Sequence, residues 1–486
     1  MQENVGNGLM GNSGESLVRI KIRLALTLIL LFMAVGCAHF PVNRPMPEYI
    51  VKPTPEPAHR ADDLLVVLTF SGGGSRASAL SYGVLQALAN TPIWWDGKER
   101  RLLDEVDMIS AVSGGSFTAA YYALFGDRIF TEFEPKFLRR NVDGALVKRL
   151  FFPSNWFKLA TPYYNRSELA EDYYDKILFK GATFADIDRR TAPEVLINAT
   201  DITLGDGFSF DQTHFDLICS DLDSFPISRA VTASSAVPGL FSAVTINNYS
   251  GSCAYPVPQW VRDVLETPSR ADSRLYLARK IAAYDNAMRR PYIHLLDGGL
   301  ADNLGLRALV DRVRLHHGSP NGSIKGALFG HNLKKIIVIV VNAAAAPDTS
   351  LNLIDHPPAI AATVDIATTV QVNRYNDETL RVFKENLEEW QQSIRVLRCG
   401  SEHCGREPDF FLVDASLMRL DDKEEREFLQ HLPTSFALGG DEIDRLIQAG
   451  RRLLQNSPQM QDFLESVEAG EDKKGRPAPS IRPSND

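Results

Sequence analysis

The chain predicts an α/β fold with a mostly parallel central sheet flanked by helices, and three observations predict it. Apolar runs of strand length recur at Leu64–Phe70, Val106–Val112 and Lys335–Asn342, with little alternation, as in strands covered on both faces. Helical patterns follow the first two, through Leu80, Val84, Leu85 and Leu88, and over Phe117–Phe125. Glycine-rich turns sit at strand ends, at Gly72-Gly73-Gly74, Ser113-Gly114-Gly115 and Asp297-Gly298-Gly299. The succession strand, loop, helix, strand, helix implies parallel strands joined by crossover helices.

Length and composition narrow the possibilities. The 486 residues exceed what one small core needs, so one large domain with insertions or two domains would both fit. A net charge of −9 leaves no basic footprint, which argues against nucleic acid as a partner.

The chain opens with Arg19, Lys21 and Arg23 before an uncharged apolar run, Leu24–Val35. That run is short for a membrane span and has the length of a signal-peptide core. It ends in Ala34-Val35-Gly36-Cys37, which resembles the lipobox of bacterial lipoproteins. The resemblance implies a signal peptide over 1–36 and a lipidated Cys37 that holds the mature chain at a membrane surface. It places the protein in the cell envelope facing the periplasm, with Ala38 pointing to the outer membrane. An ordinary cleaved signal or an anchor helix is the alternative.

Residues 37–61 are proline-rich and read as an extended tether. A domain is expected over 62–345, with insertions near 130–190 and 255–290. In the first insertion, Arg139, Arg140, Lys148 and Arg149 lead into Phe151, Phe152, Trp156 and Phe157. Such a pattern docks at lipid interfaces or forms a cap that buries its rings; the cap is the expectation, and Trp94-Trp95 pose the same choice. Val195–Asp201 reads as a strand, and 208–210 with 215–218 as a hairpin. Arg229–Ser242 reads as a helix broken at Pro238, and Tyr292–Leu296 as a strand ending at Asp297. Residues 359–397 read as one long helix or two shorter ones, within a helical region over 346–468 packed on the domain. Residues 469–486 read as a disordered tail. Cys219, Cys253, Cys399 and Cys404 suit disulfides in three alternative pairings. Cys399, His403 and Cys404 lack a further ligand pair at zinc-finger spacing.

The chemistry gathers at three turns. Ser113 stands between a strand and a helix with small neighbours, in Ala111-Val112-Ser113-Gly114-Gly115, where the nucleophile-elbow pattern usually begins with glycine. Taken alone, the serine reads first as a helix N-cap. Gly73 and Gly74 can turn N–H groups toward an oxyanion, and Arg76 can fix that loop or a substrate head group. The same stretch satisfies the G-x-G-x-x-A dinucleotide pattern, a weak signal alone. Asp297 is the conspicuous base: an open parallel sheet brings strand ends to one crevice, and burial raises a carboxylate's pKa. His294 lies at an odd offset in the same strand and should face away. His331 follows a glycine and remains a second histidine candidate.

Together GGGSR, AVSGG and DGG, in that order over about 62–345, resemble the patatin-like phospholipase family. Ala233–Phe241 resembles its acyl-cleft segment, and Asn303 its DGG-x-x-x-N motif, with Gly305 where proline is usual. The resemblance implies a patatin-like three-layer fold and a Ser113–Asp297 dyad without histidine. It implies oxyanion donors at Gly73, Gly74 and Gly114, with Gly72, Arg76, Gly115, Gly298 and Gly299 in support. It further implies a phospholipid or other lipid ester as substrate, and neither metal nor cofactor. A non-catalytic lipid-binding lipoprotein of the same fold and a Ser-His-Asp esterase are the competing readings.

Overall fold

The computed structural model describes residues 43–472, apart from 52–58, 270–271, 273, 316–332, most of 347–359, and 400–407. The signal segment 1–36, Cys37, His331, His403, Cys404 and most of the expected tail therefore lie outside the described residues.

Strand β1 (Leu64–Phe70) runs through the Gly72–Gly74 turn into helix α1 (Gly74–Ala89). A short hairpin, β2 (Pro92–Trp95) with β3 (Lys98–Arg101), precedes β4 (Val106–Val112) and α2 (Gly114–Phe125). The Trp95 ring is buried there and its Nε1 donates to Asp63 Oδ1 at 2.7 Å. Helices α3 (Val142–Leu150), α4 (Pro153–Leu159) and α5 (Arg166–Tyr174) follow, then β5 (Glu194–Asp201), β6 (Asp206–Phe210) and α6 (Ile227–Ser234). The chain continues through β7 (Val244–Asn247), β8 (Tyr292–Asp297), α7 (Leu306–Leu315), β9 (Lys335–Asn342), α8 (Ile360–Cys399), β10 (Asp409–Ser416) and α9 (Gly440–Gln455).

The eight-stranded sheet has the order β10-β9-β1-β4-β5-β8-β7, with β6 also on β5. Strands β10, β9, β1, β4 and β5 are mutually parallel, and β6, β7 and β8 are antiparallel to their neighbours. β1 is buried along its whole length, as its unbroken apolar run requires.

Several expectations change. The hairpin partner of β6 is β5, and residues 212–217 form a helix that Asp211 caps through the His214 N–H, 2.8 Å away. Helix α6 stops at Ser234, before Pro238, since the residue preceding a proline is biased away from helix. The region 346–468 is not wholly helical: β10 extends the sheet beyond β9, so its core is continuous with that of 62–345. Residues 360–399 are one helix, and the last helix runs to Asp472, into the expected tail.

The tether is not free where it is described. The Met46 N–H donates to Cys219 O and the Tyr49 N–H to Cys253 O, both at 2.8 Å. Asn43 Nδ2 donates to Ser220 Oγ at 2.8 Å. Cys219 and Cys253 are joined as a disulfide, so residues 43–49 form a strap across it. The rings of Phe151 and Phe152 after α3, and of Trp156 and Phe157 on α4, are exposed, against the expectation of a cap that buries them.

Candidate active site

Ser113 occupies the turn between β4 and α2 with φ 49° and ψ −120°, a left-handed conformation rare for a residue with a Cβ. Such backbone strain is worth about 1–3 kcal/mol and persists only where the surroundings enforce it. Here the Ser113 N–H donates to Ser234 Oγ at 2.8 Å, and Ser234 Oγ donates onward to Asn198 O at 2.6 Å. Ser116 Oγ donates to Ser113 O at 2.5 Å. Ala111, where glycine is usual, sits in ordinary strand register opposite Phe70 and Ile197, fully buried and without positive φ. The turn's unusual angles fall on Ser113, so the methyl of Ala111 is accommodated within the sheet.

Ser113 Oγ donates to Asp297 Oδ2 at 2.7 Å, and the Gly299 N–H donates to Asp297 Oδ1 at 2.8 Å. The two residues meet, but not because parallel strand ends converge. β8 is antiparallel to β5, and its Asp297 pairs with Ala199, one step beyond the Val112–Asn198 pair of β4 and β5. Since β6 takes the opposite edge of β5 along 197–201, β4 and β8 share one edge and approach end to end. The serine leaves one strand where the aspartate finishes the other. Asp297 is held by its backbone as well: its N–H donates to Ala236 O at 2.9 Å, and Thr200 Oγ1 donates to Asp297 O at 2.8 Å. The Gly298 N–H donates to Ser234 O at 3.1 Å, so the C-terminal end of α6 grips both the elbow and the DGG turn.

Burial pushes the Asp297 carboxyl from the usual carboxylate value up to about 6, against the lowering effect of the Ser113 and Gly299 hydrogen bonds. Burial also raises nearby Asp302 to about 6. Its Oδ2 accepts from the Arg307 and Ala308 N–H groups at the start of α7, a helix-capping role.

The glycine loop lies directly against the elbow. A Cβ on Gly114 would fall 2.0 Å from Gly74 O, and one on Gly72 2.5 Å from Asn303 Oδ1 and 3.3 Å from Ser113 Cβ. Gly73 and Gly74 have φ 136° and 57°. Their N–H groups, and that of Gly114, stand at the starts of α1 and α2, where a helix provides no acceptor of its own. A Cβ on Gly115 would fall 2.7 Å from Phe70 Cβ, so α2 starts tight against β1. The Gly72 N–H donates to Asn303 O at 3.1 Å, and the Ser75 N–H to Ser435 O at 2.9 Å. Gly305, where proline is usual, has φ 70°, an angle proline cannot adopt, and Ser110 Oγ donates to its carbonyl at 2.7 Å.

Of the two roles open to Arg76, the structure gives it the loop. It is buried, its Nε donates to Ala343 O at 2.7 Å, and its other nitrogens reach Leu432 O and Thr434 Oγ1. Burial lowers its pKa to about 10, so it remains a cation at neutral pH. His294 faces away from the pair and bonds Thr245 Oγ1 at 2.9 Å on the neighbouring strand. Among the described residues no histidine is hydrogen-bonded to Ser113 or Asp297. Asn198 and Thr200 carried no distinguishing sequence signal beyond being small polar groups within a strand pattern, and Ser234, though within the Ala233–Phe241 block, had none that marked it as the acceptor of the Ser113 N–H.

Fold and site together define an α/β protein whose strand-to-helix serine is hydrogen-bonded to a buried aspartate beside a glycine loop at a helix start. The family model for patatin-like phospholipases matches residues 68–310, half of the chain, and the chain belongs to that family. It thus carries the domain of a lipid ester hydrolase class. Among solved structures, human GIVD cytosolic phospholipase A2 is 12% identical with a TM-score of 0.41, over 85% of this chain and 63% of that one. The same enzyme in complex with methyl gamma-linolenyl fluorophosphonate is 11% identical, with a TM-score of 0.38, over 85% and 60%. VipD from Legionella pneumophila is 11% identical with a TM-score of 0.31, over 90% of this chain and 73% of that one. The chain thus spans under two thirds of the length of the human enzyme. No curated protein matches it significantly.

Proposed function

We propose that the chain is a membrane-tethered serine lipid acyl hydrolase of the phospholipase A or lysophospholipase type. The observation that carries this reading is the 2.7 Å hydrogen bond from Ser113 Oγ to Asp297 Oδ2 at a strained elbow. Ser113 Oγ attacks the acyl carbonyl carbon of the ester while its proton passes to Asp297 Oδ2. The negative charge that develops on the carbonyl oxygen accepts hydrogen bonds from the N–H groups of Gly73, Gly74 and Gly114, strengthened by the N-terminal ends of α1 and α2. As the tetrahedral intermediate collapses, the C–O bond to the leaving group breaks and Asp297 returns the proton to the departing alcohol. Water then attacks the acyl-serine, giving its proton to Asp297. Collapse releases the fatty acid and restores the Ser113 hydroxyl.

A carboxylate raised to about 6 suits both halves of this cycle, being ionised at neutral pH yet basic enough to take a proton. The tether rests on the sequence alone, through Cys37 and the preceding apolar run. The Cys219–Cys253 disulfide is the bond expected of an exported chain in an oxidising compartment. We place the protein in the cell envelope, facing the periplasm, with the outer membrane as the anchoring membrane.

The deciding experiment uses purified wild type and Ser113→Ala on phospholipid, lysophospholipid and short-chain ester substrates. The wild type should hydrolyse at least one class and be labelled by a fluorophosphonate at Ser113; the variant should do neither while unfolding at the same denaturant concentration. Hydrolysis by the variant would end the proposal.

A further inference from the structure

Helices α3 and α4 leave the body of the protein with an unusual surface. Phe151 is 68% exposed, Trp156 56% and Phe157 79%, and Val147, Phe152 and Tyr163 are exposed with them. Six large apolar side chains within 17 residues are exposed, a local concentration beyond the scattered single ones normal on a surface. The charges carried by the segment itself share one sign. Between Gly144 and Arg166 stand Lys148, Arg149, Lys158 and Arg166 and no acidic residue, in a chain whose net charge is −9. Rings interleaved with cations on short helices are the pattern of segments that lie in the headgroup region of a bilayer.

The hairpin is also placed where a lipid must arrive. At its start, the Val142 N–H donates to Phe436 O at 2.9 Å and Asp143 Oδ2 accepts from the Phe436 N–H at 2.9 Å. The neighbouring Ser435 O receives the Ser75 N–H beside the glycine loop. At its end, Arg166 Nη1 donates to Gly239 O at 3.0 Å and Ser167 Oγ to Ser242 O at 2.5 Å. That second segment follows Ser234, which holds the Ser113 N–H, and it carries Leu240, 65% exposed. The hairpin therefore springs from the glycine-loop side of the site and returns on the α6 side.

We propose that residues 144–166 form a docking face for an anionic lipid surface, which seats the mouth of the Ser113–Asp297 site against the bilayer. The inference rests on the reading of the chain as a lipid hydrolase, but its main test does not require turnover. On docking, Phe151, Trp156 and Phe157 enter the acyl-chain boundary while Lys148 and Lys158 meet lipid phosphates. Lys158 lies 3.9 Å from exposed Asp172, a loose pair that phosphate oxygens can displace.

The test reconstitutes the full chain into phosphatidylcholine vesicles containing phosphatidylglycerol, with bromine on the acyl chains as a contact quencher of tryptophan. Wild type and Trp156→Phe are compared, so that the difference isolates Trp156 from the other four tryptophans. The difference signal should be strongly quenched, and in the wild type the quenching should weaken in vesicles of phosphatidylcholine alone. The Phe151→Ser/Phe157→Ser variant should lower turnover of vesicle lipid by at least about tenfold, since two rings that enter the bilayer on docking are lost, and leave turnover of a dissolved short-chain ester within about twofold. A Trp156 signal untouched by brominated chains would overturn the docking face whatever the activity. Lipid-free dimerisation that the double variant abolishes would overturn it too, by assigning the face to a second copy of the chain. Loss of dissolved-ester turnover in the wild type would instead fall on the hydrolase reading and leave the quenching result standing.

Discussion

Asp297→Asn should do two opposite things at once. The carboxyl is buried and its pKa stands at about 6, against about 3.9 in an unfolded chain. A raised carboxylate pKa means that the folded state holds the proton more tightly. The stability this group lends is therefore complete well below pH 4 and is lost as the pH climbs through 6. Two pKa units amount to about 3 kcal/mol over the whole range, of which about 1.4 kcal/mol falls between pH 5 and pH 8. Asparagine cannot ionise, so the variant should lack that decline. With its oxygen kept on the Gly299 N–H, the asparagine turns its NH2 group to Ser113 Oγ, which then accepts where it donated before, so the contact survives with its direction reversed. Urea unfolding of both proteins at pH 5 and pH 8 isolates the effect, because other buried acids, such as Asp302, cancel in the comparison. The variant should gain about 1–2 kcal/mol on the wild type between the two pH values while its ester hydrolysis disappears. Parallel stability curves for the two proteins, or retained hydrolysis in the variant, would refute the assignment of Asp297 as a raised-pKa base.

Wild-type kcat/KM on a dissolved ester should fall about tenfold per pH unit below pH 6, as the free enzyme's Asp297 gains its proton; a flat profile down to pH 5 would contradict the base role. Ser234→Ala removes the acceptor of the Ser113 N–H and the donor to Asn198 O, so it should cost about 1–3 kcal/mol in stability and lower kcat more than it raises KM. Gly114→Ala drives a methyl into Gly74 O; kcat should drop by about a hundredfold or more, read alongside circular dichroism to establish that the sheet survives.

The parallel half of the sheet was legible because strands covered on both faces are written as unbroken apolar runs, and β1, β4 and β9 carry such runs. β10 was missed: Asp409–Ser416 sits among helical patterns, and its apolar stretch acquires meaning only beside β9. Ser113 and Asp297 stood out through the joint order of GGGSR, AVSGG and DGG and the resemblance it carries, since the turn at Ser113 alone reads first as a helix cap. Why they meet was not legible, because the antiparallel direction of β8 is fixed by pairing with β5 and β7 far along the chain. Ser234 and Asn198 escaped for a related reason: a small hydroxyl or amide looks alike in sequence whether it faces water or holds a nucleophile's amide. The rings of 151–157 went the other way, since periodicity cannot say whether an apolar face meets protein or solvent.

The strap across the Cys219–Cys253 bond would set a working radius for a chain anchored at Cys37. The chain is fixed to the domain at Asn43, Met46 and Tyr49. If Cys37 carries an acyl group, six residue steps separate anchor from body, roughly 20 Å even when fully drawn out. Such a leash is shorter than a bilayer's hydrocarbon core is thick, at about 30 Å. The enzyme would graze only the leaflet in which it is rooted, and an opposing membrane would lie out of reach. Its turnover would then depend on lateral diffusion of lipid toward a stationary mouth.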